Sequence, residues 1–330
     1  MYGGPDGCRA HVGTERIDVV MGYPEDLTAD KLELLLKRGL NCIMLPMAGI
    51  PIAVSAVLQE DRFAHLQLYN SHHNAQATAE MGIALLLATT RRVALLDQLL
   101  RKGVWVRRPT NAFVLHGTTA VIVGYGTIGR RMAVVLRALG VNVRAVRRTV
   151  APLSIDAAGT LIAQVDSEDG TETFPPSALH AILPSASVLI LCLPETAATN
   201  NIIGGAELAM LPLPACVVNL GRASCLNETA LWEWLGRPGA SYGGDVWWQE
   251  VAMGKEHTPT NPVPTAEKPA VPVSKTHEFE ALSNVVMTPH CGGGMDLPSV
   301  EIDRAHYTIA TLVGLALKRP RPKVDLDLRY

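Results

Sequence analysis

Residues 118–129, with the sequence TTAVIVGYGTIG, decide the fold of this chain. The apolar run before the first glycine is typical of a buried strand, and the pattern G-x-G-x-x-G follows it directly. Glycine at these positions allows the backbone to approach a pyrophosphate at the N-terminus of the next helix. The stretch therefore predicts a dinucleotide-binding loop in which six consecutive residues bind the cofactor: Gly124, Tyr125, Gly126, Thr127, Ile128 and Gly129.

The helix and strand after this loop complete a βαβ unit. The helical pattern places four apolar residues on one face: Ile128, Met132, Val135 and Leu139. The strand pattern VNVRAV ends before Arg147 and Arg148, where an acidic residue would bind the ribose 2′-hydroxyl of NAD. Guanidinium groups bind phosphate through charge-assisted hydrogen bonds, so we expect NADP as the preferred cofactor and NAD as the alternative. The competing interpretation is that Arg147 and Arg148 are simply exposed to solvent at the end of a strand and bind no phosphate.

Beyond this unit the chain alternates apolar runs with helical patterns. Three nearly continuous apolar runs lie at 187–194, 215–221 and 284–290, with the strand pattern YGGDVW at 242–247 between the last two. Such runs are typical of parallel strands covered on both faces, so we predict an α/β protein with a Rossmann-type, doubly wound parallel sheet. Two polar segments, 151–176 and 251–277, are predicted to be surface insertions with little fixed structure.

The N-terminal part predicts a second, smaller α/β unit. The strand patterns IDVVMGYP and LNCIMLP flank a helical pattern whose expected N-cap is Thr28. A long helical pattern at 81–102 then leads towards the glycine loop. We predict that residues 1–76 and 296–330 form a substrate domain and that residues 77–295 form the NAD(P)-binding domain.

Composition and charge argue against several classes of protein. The 330 residues are 48% hydrophobic and 18% charged, which suits a protein with a sizeable core. A net charge of −2 provides no basic field for nucleic acid. The six cysteines form no C-x-x-C pair, the N-terminus lacks a signal-peptide pattern, and Arg91 and Arg92 interrupt the longest apolar stretch. We expect a cytoplasmic protein without a membrane segment or a metal site.

Three polar residues follow the later strand patterns: Arg222, Glu250 and His290. Open α/β sheets bind ligands at the carboxyl ends of their strands, so these side chains are candidates for a catalytic site. Histidine exchanges protons near neutral pH, and a neighbouring carboxylate stabilises its imidazolium form. The fork of an arginine can hold a substrate carboxylate. Each residue also has an ordinary structural interpretation, but the set of three favours catalysis.

These three residues, the glycine loop and the sequence NAQATAEMGIALLLATTRR at 74–92 resemble the D-isomer-specific 2-hydroxyacid dehydrogenase family, and glyoxylate/hydroxypyruvate reductases within it. The resemblance implies reduction of a small 2-oxoacid to the D-2-hydroxyacid with NAD(P)H. Arg222 would bind the substrate carboxylate, His290 would be the acid or base, and Glu250 would hydrogen-bond to it. A homodimer built around the 74–102 helix is also implied.

Further contacts follow from the resemblance. The backbone of Ala48 and Gly49 would bind the substrate carboxylate. Three residues at strand ends would contact the cofactor: Leu193 and Pro194 on the adenosine side and Asp245 beside the nicotinamide carboxamide. The chain departs from the family where Pro51 follows the substrate loop and where an insertion follows Glu250. Family members usually carry a longer N-terminal unit, whose first strand and helix find no match here, so we expect either a shortened flavodoxin-like substrate domain or an incomplete sequence.

Other interpretations of the function and of nearby residues stay open. Corepressors that resemble these dehydrogenases keep the same three residues, so a dinucleotide-sensing interaction protein is the main alternative, and a family member of low activity is another. Trp247 and Trp248 are expected to be packing residues. Cys291 is expected to be structural, because nothing activates its thiol. Asn227 is expected to cap a helix, although it opens a glycosylation sequon.

Overall fold

The chain forms two compact units. The computed structural model describes residues 19–22, 27–50, 52–149, 154–155, 161–166, 169–250, 273–294 and 297–316. One unit consists of Met1–Asn74 with Met295–Tyr330, and the other of Ala75–Gly294. The roles of the two units as substrate and cofactor domains stay predictions.

The first unit contains a small parallel sheet. Over its described residues, three strands pair in the order β1 (Val19–Met21), β2 (Cys42–Met44) and β3 (Gln67–Tyr69). Its helices are α1 (Ala29–Leu36), α2 (Ile52–Leu58) and α9 (Pro298–Ala316). Thr28 caps α1 as predicted, because its hydroxyl accepts a hydrogen bond from the backbone N–H of Lys31. Strand β3 was not predicted, since three residues carry too little periodicity to be recognised.

The second unit is built on a larger sheet. Its strands are β4 (Thr119–Val123), β5 (Asn142–Val146), β8 (Gln164–Val165), β9 (Glu172–Phe174), β10 (Val188–Leu191), β11 (Ala215–Asn219), β12 (Ala240–Gly244) and β13 (Val285–Met287). They lie in the spatial order β8-β9-β5-β4-β10-β11-β12-β13, and only β8 and β9 pair antiparallel among these described strands. The order reverses between β4 and β10, as in a doubly wound Rossmann sheet. The predicted fold class is confirmed.

Helices and buried side chains cover both faces of this sheet. The helices are α3 (Ala75–Thr90), α4 (Val93–Arg101), α5 (Thr127–Ala138), α6 (Leu179–Ile182), α7 (Gly205–Met210) and α8 (Glu228–Leu235). Alternate residues of one strand enter different cores: Val121 packs in one cluster, and Ile122 packs in the other. Each such fully buried side chain contributes about 1.5–3 kcal/mol. The central strands β4, β10 and β11 are therefore buried on both sides, as the continuous runs predicted.

Two helical predictions need correction. The buried face of α5 consists of Gly129, Met132, Ala133 and Leu136. Val135 and Leu139 are 39% and 37% exposed, because they lie beside that stripe and not on it. The helical pattern at 81–102 is interrupted at Arg92, whose φ of 60° is left-handed, so α3 and α4 are separate helices.

The prediction of little fixed structure was wrong for part of both polar segments. Residues 161–174 contain β8 and β9, and β9 joins the main sheet parallel to β5. The buried residues of the β9 region include the polar Thr171 and Thr173, so the sequence pattern did not indicate a buried strand. In the second segment, residues 251–272 lie outside the described residues, while the backbone of Val273 accepts a hydrogen bond from Gln249. A separate antiparallel pair consists of β6 (Ser154–Ile155) and β7 (Leu161–Ile162).

Candidate active site

The carboxyl ends of six neighbouring strands form one row of paired residues. The row runs through Val146, Val123, Leu191, Asn219, Gly244 and Met287, each paired with the next. Strands lie about 4.8 Å apart, so the row covers about 24 Å of one sheet edge. Each site residue predicted in the second unit follows a member of this row within six positions. The parallel register therefore places the predicted cofactor and catalytic residues along a single edge.

The glycine loop fits a bound pyrophosphate. Gly124 has φ of 100°, and a Cβ at this residue would lie 2.5 Å from the carbonyl oxygen of Cys192, so only glycine is tolerated. Helix α5 begins after Gly126, and no side chain caps its first turn. Uncapped N–H groups at a helix N-terminus are suited to bind a phosphate. The loop after β4 thus has the form expected of a dinucleotide site.

The side chain of Tyr125 points away from the loop surface. It is 4% exposed, and its hydroxyl donates to the Asp169 carboxylate and lies 2.7 Å from Thr171 Oγ1. Burial, together with the hydrogen bond to Asp169, raises the pKa of Tyr125 to about 12. The guanidinium carbon of Arg130 lies 5.0 Å from the ring centroid. The prediction that Tyr125 binds cofactor can therefore apply only to its backbone.

Arg147 lies at the predicted position after β5 but is paired with an acid. Its Nη1 lies 2.9 Å from Oδ2 of Asp166, which belongs to the segment that the sequence analysis treated as unstructured. Arg130 donates to both oxygens of the same carboxylate, at 2.6 and 2.8 Å. The Asp166 side chain is only 5% exposed, whereas Arg148 is exposed. Arg147 is therefore held by an ion pair with Asp166, whereas Arg148 is exposed to solvent.

His290 and Glu250 form a direct pair. Nδ1 of His290 lies 2.8 Å from Oε2 of Glu250, and the other carboxylate oxygen accepts the backbone N–H of Trp247 at 3.0 Å. Burial acts to raise the pKa of Glu250. The hydrogen bond and charge of His290, the Trp247 N–H and the charge of Arg222 together outweigh it, and the pKa falls below its ordinary value. Glu250 is therefore a carboxylate at neutral pH, and Arg222 lies within its electrostatic reach.

The turn that carries Arg222 is held by Asn219, which the sequence analysis missed. The buried amide of Asn219 donates to the carbonyl of Arg222 at 3.1 Å, and its Oδ1 accepts the N–H of Gly221 at 3.0 Å. Nη1 of Arg222 donates to the carbonyl of Gly221 at 2.8 Å. In the sequence, the signal that could have identified Asn219 is that it is a polar residue at the end of β11, which is otherwise apolar.

Asp245 anchors the turn that carries His290. It is 2% exposed, and Oδ1 accepts the hydroxyl of Thr288 at 2.6 Å and the N–H of Cys291 at 3.1 Å. Oδ2 accepts the N–H of Gly292 at 2.9 Å, and a Cβ on Gly292 would lie 2.6 Å from that oxygen. These bonds hold His290 at a left-handed φ of 53°, an uncommon conformation for a residue with a side chain. The expected contact of Asp245 with the nicotinamide stays a prediction.

Aromatic residues pack beneath this part of the edge. Trp247 is buried, and its Nε1 donates to the carbonyl of Thr288 at 2.8 Å. Trp248 donates to the carbonyl of Leu226 at 3.1 Å and stacks on Phe279. The packing interpretation is confirmed for both tryptophans.

Two neighbouring residues also agree with their structural interpretations. Asn227 caps α8 by accepting the N–H of Ala230 at 2.9 Å, which confirms the expected N-cap. Partial burial, and then the charge of Asp245, raises the pKa of the Cys291 thiol. Because a thiol is a poor nucleophile, Cys291 is not activated at neutral pH.

The remaining predicted contacts lie at other strand ends. In the first unit, Ala48 and Gly49 follow β2, and the side chain of Asn70 donates to the carbonyl of Ala48 at 2.7 Å. In the second unit, Leu193 and Pro194 follow β10 and are half-buried. Ligand contacts for these four residues stay predictions. No helix in the described ranges is both long enough and apolar enough to cross a bilayer.

Known proteins resemble this chain over most of its length. It is 30% identical to the glyoxylate reductase of Aeropyrum pernix over 223 residues, which are 65% of this chain and 56% of that protein. It is 30% identical to the D-3-phosphoglycerate dehydrogenase of Mycobacterium leprae over 244 residues, which are 74% of this chain and 39% of that protein. The chain spans 35–56% of the length of the curated relatives that it matches first.

A solved structure and a family model agree with the geometry. The NADPH-dependent glyoxylate/hydroxypyruvate reductase from Sinorhizobium meliloti, in complex with NADP and sulfate, has the same fold, with a TM-score of 0.70 at 20% identity over 99% of this chain and 90% of that one. Residues 83–292 match the family model for the D-isomer specific 2-hydroxyacid dehydrogenase NAD binding domain. Because this match includes the glycine loop, Arg222, Glu250 and His290, the chain belongs to the D-isomer-specific 2-hydroxyacid dehydrogenase family.

Proposed function

We propose that this chain reduces a small 2-oxoacid, such as glyoxylate or hydroxypyruvate, to the D-2-hydroxyacid with a reduced nicotinamide dinucleotide. The main support is the 2.8 Å pair between His290 and Glu250, which lies within electrostatic reach of Arg222. The pair follows the same row of strand ends as the glycine loop. When bound, the dinucleotide supplies the hydride that the carbonyl carbon accepts.

Each residue of the proposed site has a separate task. His290 delivers a proton to the carbonyl oxygen, because imidazolium is the one side-chain acid suited to neutral pH. Glu250 orients the imidazole through Nδ1 and stabilises its positive charge. Arg222 binds the substrate carboxylate and polarises the adjacent carbonyl. Asp245 contributes indirectly, because it holds the turn in which His290 lies.

The substrate class is proposed from the relatives. Those that match at about 30% identity are named glyoxylate reductase and D-3-phosphoglycerate dehydrogenase, and both names indicate small acids. We propose, as the family resemblance implies, that the backbone of Ala48 and Gly49 binds the substrate carboxylate. In that arrangement the hydrogen bond from Asn70 to the carbonyl of Ala48 keeps the loop in place.

The test is a panel of 2-oxoacids with NADPH or NADH, followed by the loss of reduced-nicotinamide absorbance. The panel contains glyoxylate, hydroxypyruvate, pyruvate and phosphohydroxypyruvate. His290→Gln is expected to lower kcat by about 10²- to 10⁴-fold and to leave NADPH binding intact. His180→Gln is a matched control, since His180 pairs with Glu207 at 2.6 Å on the surface of α6 and should keep full activity. Unchanged turnover in His290→Gln would contradict the assignment.

The same panel separates the proposed enzyme from its main alternative. If the wild-type chain binds NADPH or NADH but reduces none of the acids, a dinucleotide-sensing interaction protein is favoured instead. The cofactor preference belongs to this proposal too. We propose NADP over NAD because Arg147 and the exposed Arg148 follow β5 where a 2′-phosphate would bind.

We also propose that the chain forms a homodimer through the region of α4. No described residue of α4 is buried, although the helix is rich in leucine. Val93 and Leu100 are each 54% exposed, and the nearby Trp105 is 71% exposed. A second copy of the chain would remove this apolar surface from water. A cytoplasmic location is proposed from the cysteine pattern alone.

A further inference from the structure

Asp166 brings a carboxylate to the end of β5, where the sequence itself has arginine. Its Oδ2 lies 2.9 Å from Arg147, the residue that follows β5. This is the place at which dinucleotide-binding sheets distinguish NAD from NADP. A carboxylate there accepts hydrogen bonds from the ribose 2′-hydroxyl and repels a 2′-phosphate. Folding therefore places at the end of β5 a carboxylate that the sequence after β5 does not contain.

The backbone of the β8–β9 hairpin sets the place of Asp166. The N–H of Asp166 donates to the carbonyl of Thr171 at 2.9 Å, and its carbonyl accepts the N–H of Gly170 at 2.9 Å. Strand β9 is in turn paired with β5 in the main sheet. The Tyr125 hydroxyl joins the glycine loop to the same hairpin through Thr171. The position of the carboxylate is thus fixed from several directions.

The charges around Asp166 favour an effect on a bound phosphate. Arg130 and Arg147 both contact the carboxylate, so the three groups have a net charge of +1 in place of the +2 of the arginines alone. Asp166 is almost fully buried while both arginines are partly exposed, and a partly desolvated charge is screened less by water. An anion at Arg147 would therefore experience both attraction and repulsion.

We propose that Asp166 is a specificity-determining residue that limits the preference of this site for the 2′-phosphate of NADP. The inference rests on the proposed dinucleotide site but not on turnover. With the carboxylate present, the site attracts a 2′-phosphate less strongly than the two arginines would alone. The site therefore accepts NADH better than two consecutive arginines predict.

The test measures binding of two fragments that lack nicotinamide, adenosine 2′,5′-bisphosphate and adenosine 5′-monophosphate, to the full chain by calorimetry. Asp166→Asn is expected to raise the preference for the bisphosphate by about tenfold, which is the scale of removing one unit charge from a partly exposed site. Glu172→Gln is the matched control, because this exposed acid of the same hairpin pairs with Arg144 at 3.3 Å. Glu172→Gln should change the preference for the bisphosphate over the monophosphate less than twofold.

A second variant keeps the inference testable if Asp166→Asn does not fold. In the double variant Arg147→Gln with Arg148→Gln, the remaining carboxylate should make the bisphosphate bind more weakly than the monophosphate. Equal binding of the two fragments would overturn the inference. A lower bisphosphate preference in Asp166→Asn would also overturn it, because Asp166 would then be organising the arginines for the phosphate. If neither fragment binds the wild-type chain, the dinucleotide site and the inference both fail, whereas binding without oxoacid reduction counts only against the proposed reaction.

Discussion

At the scale of single residues, His290 and Glu250 depend on partners that hold them in position. One oxygen of Glu250 contacts the imidazole, and the other accepts the backbone N–H of Trp247, so the carboxylate cannot rotate without losing a bond. His290 has a left-handed backbone conformation, and the Asp245 carboxylate stabilises the turn by accepting the N–H groups of Cys291 and Gly292. Rigid support of this kind is what a proton-transfer site requires, because small displacements reduce the rate strongly.

Replacement of Glu250 by glutamine should lower kcat by at least about tenfold and change the pH dependence of stability. The variant can still hydrogen-bond to Nδ1, but it no longer stabilises a positive imidazole. Because the pKa of Glu250 is lowered in the folded chain, its stabilising contribution is present above the unfolded value of about 4.5 and is lost as pH falls through the folded value.

Urea unfolding of both proteins between pH 3 and pH 7 provides the measurement. The wild-type advantage in the free energy of unfolding should shrink below about pH 4.5. Glu60→Gln, which removes an exposed acid paired with Arg62 at 2.7 Å, serves as the control and should retain kcat. A stability difference that stays constant across this pH range would show that the Glu250 carboxylate is not stabilised by its partners.

At the scale of elements, the β8–β9 hairpin belongs to the second unit and supports the glycine loop. It extends the sheet beyond β5, and its residues contact the loop and α5 through the hydroxyl of Tyr125 and the guanidinium of Arg137. The position of the dinucleotide loop therefore depends on a segment about 45 residues further along the chain. An insertion that the sequence analysis considered peripheral has a structural task beside the proposed site.

Tyr125→Phe should separate this structural task from cofactor binding. Loss of the hydroxyl removes its hydrogen bonds to Thr171 and Asp169 and should reduce the free energy of unfolding by about 1 kcal/mol. The dissociation constant for NADPH should change less than about twofold, because the buried side chain of Tyr125 leaves only its backbone for the proposed cofactor contact. Nicotinamide fluorescence and thermal unfolding measure the two quantities. Tyr69→Phe in the first unit is the control, and a tenfold loss of NADPH binding in Tyr125→Phe would refute this division of roles.

At the scale of the whole molecule, the exposed apolar surface of α4 predicts self-association. Leu100→Glu places a charge on that surface and should convert a dimer into a monomer, because burial of an unpaired carboxylate is costly. Light scattering after size exclusion measures the mass directly. Leu34→Glu introduces the same change at another exposed leucine, on α1, and should leave the mass unchanged. A wild-type chain that is monomeric at micromolar concentration would reject the proposed dimer.

Local patterns were sufficient to predict most of the architecture. The strands β4, β5, β10, β11, β12 and β13 all fall within the predicted runs or within two residues of them. The side chains of β10 and most of those of β4 and β11 are apolar on both faces, and this property is encoded residue by residue. The glycine loop is likewise a local signal, because its conformation depends on the absence of a Cβ at Gly124. The pair of His290 with Glu250 was expected from the family resemblance and is present.

Contacts between distant segments decided the remaining features. Short strands such as β3 and β9 carry too few residues for a periodic signal and form because a neighbouring strand offers its hydrogen-bonding edge. Three polar side chains form hydrogen bonds that the sequence around them does not predict: those of Asp245, Asn219 and Asp166. Local sequence was therefore enough to predict most of the longer elements, the glycine loop and the family. The pairing of Asp166 with Arg147 and the anchoring of the His290 turn by Asp245 are visible only in the folded chain. Ion pairs and buried hydrogen bonds depend on distance in space and not on separation along the chain.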